Sequence, residues 1–164
     1  MLGTTGVGWL YSLANQGETN WGDIDSFYAS MIEGLTDDGE TLDIKSDVWG
    51  KIHRKGIRPS PGDGIAFYHS QRAGFPKGDH FKRKPRISLI GAIERIAFDE
   101  EDGQRVAWLH FTASRNTLER LRRDPIIRDE STRHLFEACG NVAGAVATMY
   151  YADAETWRTI ITSQ

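Results

Sequence analysis

Cysteine is almost absent from this chain of 164 residues, and Cys139 is the only one. A single thiol excludes an intrachain disulfide and a zinc site built from several cysteines. No apolar run approaches the ~20 residues that cross a bilayer, and residues 1–8 lack the basic start and apolar stretch of a signal peptide. We therefore expect a single domain over residues 1–164, located in the cytoplasm.

Recognisable catalytic and phosphate-binding motifs are also missing. The patterns G-x-S-x-G, H-E-x-x-H and G-x-x-x-x-G-K-[ST] do not occur. The five histidines are scattered, and none forms the i, i+4 pair of a helical metal site. The sequence therefore predicts no catalytic residues, no metal site and no cofactor.

Charge is divided along the chain, although the formal net charge is only −3. Residues 18–47 contain nine acids against Lys45 alone, whereas residues 48–86 contain ten bases against Asp63 and Asp79. Such a division can give one domain a positive face, which attracts phosphate backbones. Two solvated blocks that partly neutralise each other explain the pattern equally well, so charge alone leaves both interpretations open.

Alternating and apolar segments predict a curved mixed β-sheet of about five to six strands. The strands are expected at residues 7–14, 65–70, 86–98, 105–112 and 143–151. Gly91, within the third of these, is expected to allow a bulge or a bend. Residues 36–46 are acidic, contain Asp-Asp-Gly and are expected to form a loop.

Helical spacing predicts three short helices beside this sheet. Residues 23–34 carry one apolar face, and Gly34 is expected to end the helix in the left-handed conformation. A second helix is expected to be capped by Asn116 or Thr117, and Asp153 is expected to cap the last. Together these elements indicate the α+β class.

Six segments in order carry a resemblance to a known family. They are residues 9–15 (WLYSLAN), 48–54 (VWGKIHR), 61–70 (PGDGIAFYHS), 87–93 (ISLIGAI), 118–125 (LERLRRDP) and 154–157 (AETW). This series resembles the EVE domain of the PUA-like superfamily, which is related to YTH domains. The resemblance implies a PUA-like pseudobarrel of the EVE type, with an acidic insertion around residues 18–46.

The resemblance further implies a non-enzymatic binding module that takes a modified base of DNA or RNA into an aromatic-walled pocket. The expected ligand contacts are Trp49 as one wall, Trp21 as a second, and Asn15, Ser12, Tyr68, His69 and Ser70 as polar groups. The expected contacts to backbone phosphates are Lys51, Arg54, Lys55, Lys82, Arg83 and Arg86. The expected partners are modified nucleic acid and a separately encoded effector such as a nuclease.

Two other functions stay open at this stage. One is a small RNA-processing or small-molecule enzyme on a PUA-like barrel, with His69 or His134 as its acid–base group. The other is a protein-interaction domain whose acidic insertion binds a basic partner. Trp9, Trp108 and Trp157 lie in periodic apolar segments and are predicted to be core residues.

Overall fold

The computed structural model describes residues 3–13, 24–36, 40–46, 57–69, 85–101, 103–139 and 149–163. In chain order its elements are β1 (Gly8–Leu13), α1 (Ile24–Gly34), β2 (Glu40–Ser46), β3 (Gly64–His69), β4 (Arg86–Glu101), β5 (Gln104–Ala113), α2 (Arg115–Arg123), β6 (Ile126–Ile127), α3 (Arg133–Ala138), β7 (Met149–Ala152) and α4 (Ala154–Thr162). Among these residues, none of the helices is long and apolar enough to cross a membrane.

The strands form one mixed sheet in the order β2-β5-β4-β3-β1-β7, and the short β6 pairs with the start of β4. Strands β1 and β3 run parallel, whereas the other pairs are antiparallel. This arrangement confirms the predicted α+β class and the mixed sheet. Helix α3 and the two-residue strand β6 were not predicted, because both are too short to show a periodic pattern.

Both faces of the sheet are buried along β3, all six residues of which are buried. Ile65 and Phe67 belong to one apolar cluster, while Ala66 and Tyr68 belong to another. We call the two sides the Phe67 face and the Tyr68 face. Helix α1 covers the Phe67 face with side chains that include Phe27 and Met31. Helices α3 and α4 cover the Tyr68 face with Leu135, Phe136, Trp157 and Ile160.

The predicted ends of the helices are partly confirmed. Helix α4 begins after Asp153, whose carboxylate accepts a hydrogen bond from the Thr156 amide, as expected. Helix α2 is capped by Ser114 instead of Asn116 or Thr117, so that prediction is wrong. The Ser114 side chain accepts from the Thr117 amide, which places Asn116 and Thr117 inside the first turn.

Helix α1 ends at Gly34 as predicted, but the predicted cause is wrong. The described glycines with positive φ are Gly3, Gly6, Gly62 and Gly103, and Gly34 is not among them. The guanidinium of Arg115 instead donates to the carbonyl oxygen of Ile32. The open end of α1 is therefore capped by a side chain from α2, which satisfies one of its terminal carbonyls.

Residues 40–46 form strand β2, so the predicted loop over 36–46 is wrong for most of its length. The backbone of β2 pairs with β5 from Glu40–Ala113 to Ser46–Ala107. The acidic composition concealed an alternation of Leu42 and Ile44 with polar residues, which is a strand pattern.

Two irregularities bend β4, and neither is at Gly91, where the bulge was predicted. Tyr68 pairs with Ile87 and Phe67 pairs with Leu89, which leaves Ser88 as the extra residue. A second shift between Ile93 and Arg95 leaves Glu94 as the other. Gly91 has a different role, since a Cβ there would lie 2.5 Å from the carbonyl oxygen of Thr112. It therefore permits the close approach of β5.

Candidate functional site

Strands β1 and β3 run parallel, and their carboxyl ends lie side by side at one end of the sheet. Ser12 pairs with Tyr68 and Leu13 with His69. On the other side of β3, His69 pairs with Arg86 and Tyr68 with Ile87. We call these six residues the carboxyl edge. Ligands commonly bind outside the carboxyl ends of parallel strands, because the loops that follow them converge there.

His69 lies at the end of β3 with its imidazole fully buried. Its Nδ1 is 2.5 Å from Oγ of Ser88, the bulged residue of β4, which is also fully buried. The ring of Phe27 contacts the imidazole at a centroid distance of 4.9 Å. A serine beside a histidine is the arrangement of an activated nucleophile, but here neither side chain reaches the surface. The contact is better explained as pairing of two buried polar groups.

Tyr68, the residue before His69, is buried in the Tyr68 face against Phe136. Its hydroxyl accepts a hydrogen bond from the guanidinium of Arg128 at 3.3 Å. Burial raises the pKa of this hydroxyl above its ordinary value, and the Arg128 hydrogen bond opposes part of the rise. The phenol is therefore neutral over the physiological pH range.

Two described cations, Arg86 and Arg128, lie at or beside the carboxyl edge. Arg86 is half-buried at the start of β4. Arg128 follows β6, and its amide donates to the Pro85 carbonyl at 2.8 Å, which holds it next to the start of β4. The eight paired positions at this end of β1, β3, β4 and β6 include no acidic residue, being Ser12, Leu13, Tyr68, His69, Arg86, Ile87, Ile126 and Ile127.

The structure therefore brings Ser12, Tyr68, His69 and Arg86 to one edge of the sheet, with Ser12 half-buried. Nine other predicted contacts lie outside the described residues, and their roles stay predictions. They are Trp49, Trp21, Asn15, Ser70, Lys51, Arg54, Lys55, Lys82 and Arg83.

The opposite end of the same two strands holds the Pro-Gly-Asp segment. Asp63 is buried, and its carboxylate accepts from the Trp9 indole at 2.9 Å, the Thr5 hydroxyl at 2.7 Å and the Ser60 amide at 2.9 Å. Gly62 has φ 93°, and its carbonyl accepts from the amides of Thr4 and Thr5. Since each carboxylate oxygen is occupied, Asp63 has a structural role here.

The predicted core tryptophans differ in their burial. Trp9 and Trp157 are buried, as predicted. Trp157 lies flat on the backbone at Gly64, where a Cβ would be only 1.9 Å from its ring. Trp108 is half-buried on β5 and outside both apolar clusters, so its prediction as a core residue is wrong. Its neighbours Leu109 and Phe111 fill the Phe67 face instead.

The two candidate acid–base histidines do not meet. The His69 ring contacts Phe27 on the Phe67 face. His134 is exposed on α3, and the next two residues of that helix pack on the Tyr68 face. Within the described part of the chain, no three His, Cys, Asp or Glu side chains are grouped as metal ligands would be.

Two residues of the site carry no signal that sequence analysis could use. Ser88 lies in an apolar run, and its position follows from the bulge that Tyr68 and Ile87 define. Arg128 lies in a short irregular segment, and only the pairing of β6 with β4 brings it near Tyr68. Comparison of the chain with family models, with curated proteins and with solved structures gave no match.

Proposed function

We propose that this protein binds nucleic acid carrying a modified base, and that the base is held beside the carboxyl edge. The observation that carries the proposal is the charge of that edge. Its paired positions are apolar, neutral polar or cationic, and Arg128 adds a further cation beside them. Such an environment suits the uncharged polar rim of a base and its flanking phosphates.

A flipped base loses a few kcal/mol of stacking and pairing, which the protein must replace. In the proposal Trp49 supplies one stacking face, with Trp21 as a second wall, and Asn15, Ser12 and Ser70 contact the polar rim of the base. The complete burial of Tyr68 and His69 supports a positioning role for both, since they fix the strand end that precedes Ser70.

The proposed fold type is the PUA-like pseudobarrel of the EVE family. The mixed sheet with its two bulges in β4 supports the curvature that such a barrel needs. In the same proposal Lys51, Arg54, Lys55, Lys82, Arg83 and Arg86 contact flanking phosphates. The proposed partners are modified DNA or RNA, and an effector such as a separately encoded nuclease, which would supply the chemistry.

The test begins with the protein as purified, whose bound nucleosides are identified by mass spectrometry. Fluorescence anisotropy then compares oligonucleotides with and without that modification at several salt concentrations. Trp49→Ala should weaken binding of the modified oligonucleotide by about 1–3 kcal/mol, the value of one stacked base. Trp108→Ala, at a half-buried tryptophan of β5, is the matched control and should change binding little.

Two results would count against the proposal. Equal affinity for modified and plain oligonucleotides at every salt concentration would contradict a site that recognises the modified base. An unchanged affinity after Trp49→Ala would show that Trp49 does not stack on the base. The same samples also test the enzyme hypothesis, because oligonucleotides that are shortened during incubation would favour an RNA-processing activity over a binding module.

A further inference from the structure

Helix α2 is the most basic described element of the chain. Its nine residues include Arg115, Arg120, Arg122 and Arg123 against Glu119 alone. Leu118 and Leu121 are buried, one in each apolar cluster, and this fixes the orientation of the helix. Arg120, Arg122 and Arg123 are exposed. Arg120 and Arg123 lie on one side of the helix, and we call these two residues the α2 basic face. Arg115 is excluded from it because its guanidinium caps α1.

Pairing within the helix does not neutralise this face. Glu119 lies 3.8 Å from the guanidinium of Arg122, so the one acid of α2 is already engaged. Among the residues that the structure describes, Arg120 and Arg123 have no acidic partner within salt-bridge distance. They are spaced i, i+3 on one side of the helix, where like charges repel. The helix dipole favours cations in the last turn, but it does not call for two unpaired cations side by side.

The last turn of α2 lies close to the carboxyl edge, because Ile126 follows Arg123 by three positions and pairs with Ile87, and Leu121 shares an apolar cluster with Ile87 and Tyr68. The guanidinium of Arg122 is 5.1 Å from the ring centroid of Tyr28 on α1. The Tyr28 ring is 6.0 Å from that of Phe27, and the Phe27 ring is 4.9 Å from His69. Side chains of α1 thus connect the basic helix to the end of β3.

We infer that the α2 basic face contacts the phosphodiester backbone next to the base held at the carboxyl edge. This inference rests on the proposed function and adds a phosphate-binding surface outside residues 48–86. A guanidinium suits the role because its planar fork donates two hydrogen bonds to one phosphate. Arg120 and Arg123 are about 4.5 Å apart along the helix axis, since each residue rises about 1.5 Å. One strand of nucleic acid can therefore reach both.

The experiment compares the wild type with the double variant R120Q/R123Q, using plain and modified oligonucleotides. Each lost phosphate contact lowers the slope of log affinity against log salt by about 0.7 for single strands and 0.9 for duplex. The double variant should therefore lower the slope by about 1.4 to 1.8, and affinity by more than about tenfold near 0.1 M salt. The ratio of modified to plain affinity should stay unchanged, because phosphate contacts do not read the base.

Two further variants serve as controls for this experiment. Arg158→Gln removes an exposed arginine of a different helix, α4, and should leave the salt slope unchanged. Glu119→Gln removes the acid of α2 and should strengthen binding, which is the opposite sign. Thermal melting checks that each variant is folded, and a folded double variant is expected because both substituted side chains are exposed.

The outcomes separate this inference from the proposed function. If the wild type binds oligonucleotides and R120Q/R123Q binds them with the same slope, the inference is wrong and the proposed function stands. If the wild type shows no preference for the modified base, the proposed function fails whatever the slope. A last measurement compares binding of the wild type and the double variant to vesicles containing anionic lipid. If the double variant loses vesicle binding but keeps oligonucleotide binding, the assignment of this face to nucleic acid is wrong.

Discussion

Strands β1 and β3 are paired along their whole length, yet the residues at their amino ends differ in kind from those at their carboxyl ends. At the amino end Gly8 pairs with Gly64, and the indole of Trp157 lies on the glycine backbone. The adjacent carboxylate of Asp63 accepts three hydrogen bonds. At the carboxyl end the paired positions are Tyr68, His69 and their partners, with cations beside them. The amino end encloses the Asp63 carboxylate, whereas the carboxyl end has two arginines at or beside it, Arg86 and Arg128.

This difference shows that a segment singled out by sequence can have a purely structural role. The Pro-Gly-Asp segment is the most specific part of the family resemblance. All of its side-chain chemistry is used within the protein, by Trp9, Thr5 and the Ser60 amide. The residues that could meet a ligand lie about 20 Å away, since a six-residue strand rises roughly 3.3 Å per residue. The two ends therefore need separate tests.

The largest effect is expected at the amino end, from Asp63→Ala. The substitution leaves the buried Trp9 indole N–H and the Ser60 amide without their acceptor. Hydrogen bonds to a charged group contribute about 1.5–3 kcal/mol, so the free energy of unfolding should fall by about 4 kcal/mol. Urea denaturation measures it. Asp63→Asn keeps one acceptor oxygen and should lose about half as much, and a loss below about 1 kcal/mol in the alanine variant would contradict the structural role.

A smaller loss is expected at the carboxyl end, from Ser88→Ala. The variant deprives the buried Nδ1 of His69 of its partner, which costs about 2 kcal/mol of unfolding free energy. Thr112→Val is the matched control, because it removes a hydroxyl that bonds Glu94 at the other, exposed bulge. That control should change stability by less than about 0.5 kcal/mol. Equal losses in the two variants would show that the Ser88 hydroxyl has no special role.

Elements with a long, regular pattern could be predicted from the sequence. Strand β3, helix α1 and helix α4 appear where alternation, helical spacing and the Asp153 cap placed them. Strand β2 was missed because its acids suggested a loop, whereas pairing with β5 determines its conformation. Tertiary pairing overrides a weak local signal in this way, particularly for short strands.

Sequence analysis could predict only those residues of the candidate site that lie in a single recognisable strand. Tyr68 and His69 could be named because they end a recognisable strand. Ser88 and Arg128 could not, since a bulge and a two-residue strand bring them there. The α2 basic face was missed for a related reason, because its exposure depends on the burial of Leu118 and Leu121 in separate clusters.

The smallest effect on stability is expected from Tyr68→Phe. Its pH dependence separates the contribution of the Tyr68 hydrogen bond from that of Tyr68 ionisation. Near neutral pH, Tyr68→Phe removes only the 3.3 Å hydrogen bond from Arg128 and should cost about 1 kcal/mol or less. Burial raises the pKa of Tyr68 in the folded state, so above about pH 10 the unfolded chain loses this proton first. The stability that the phenol contributes is thus present below the unfolded pKa and is lost as the pH rises towards the folded pKa.

Urea denaturation from about pH 8 to 11 follows this loss in the wild type and in Tyr68→Phe. The advantage of the wild type should shrink above about pH 10 and then reverse, because phenylalanine has no proton to lose. A constant difference over the whole range would mean that the phenol ionises equally readily in both states. Water would then reach the Tyr68 hydroxyl at the carboxyl end of the strands, whereas the Asp63 carboxylate at the amino end is buried.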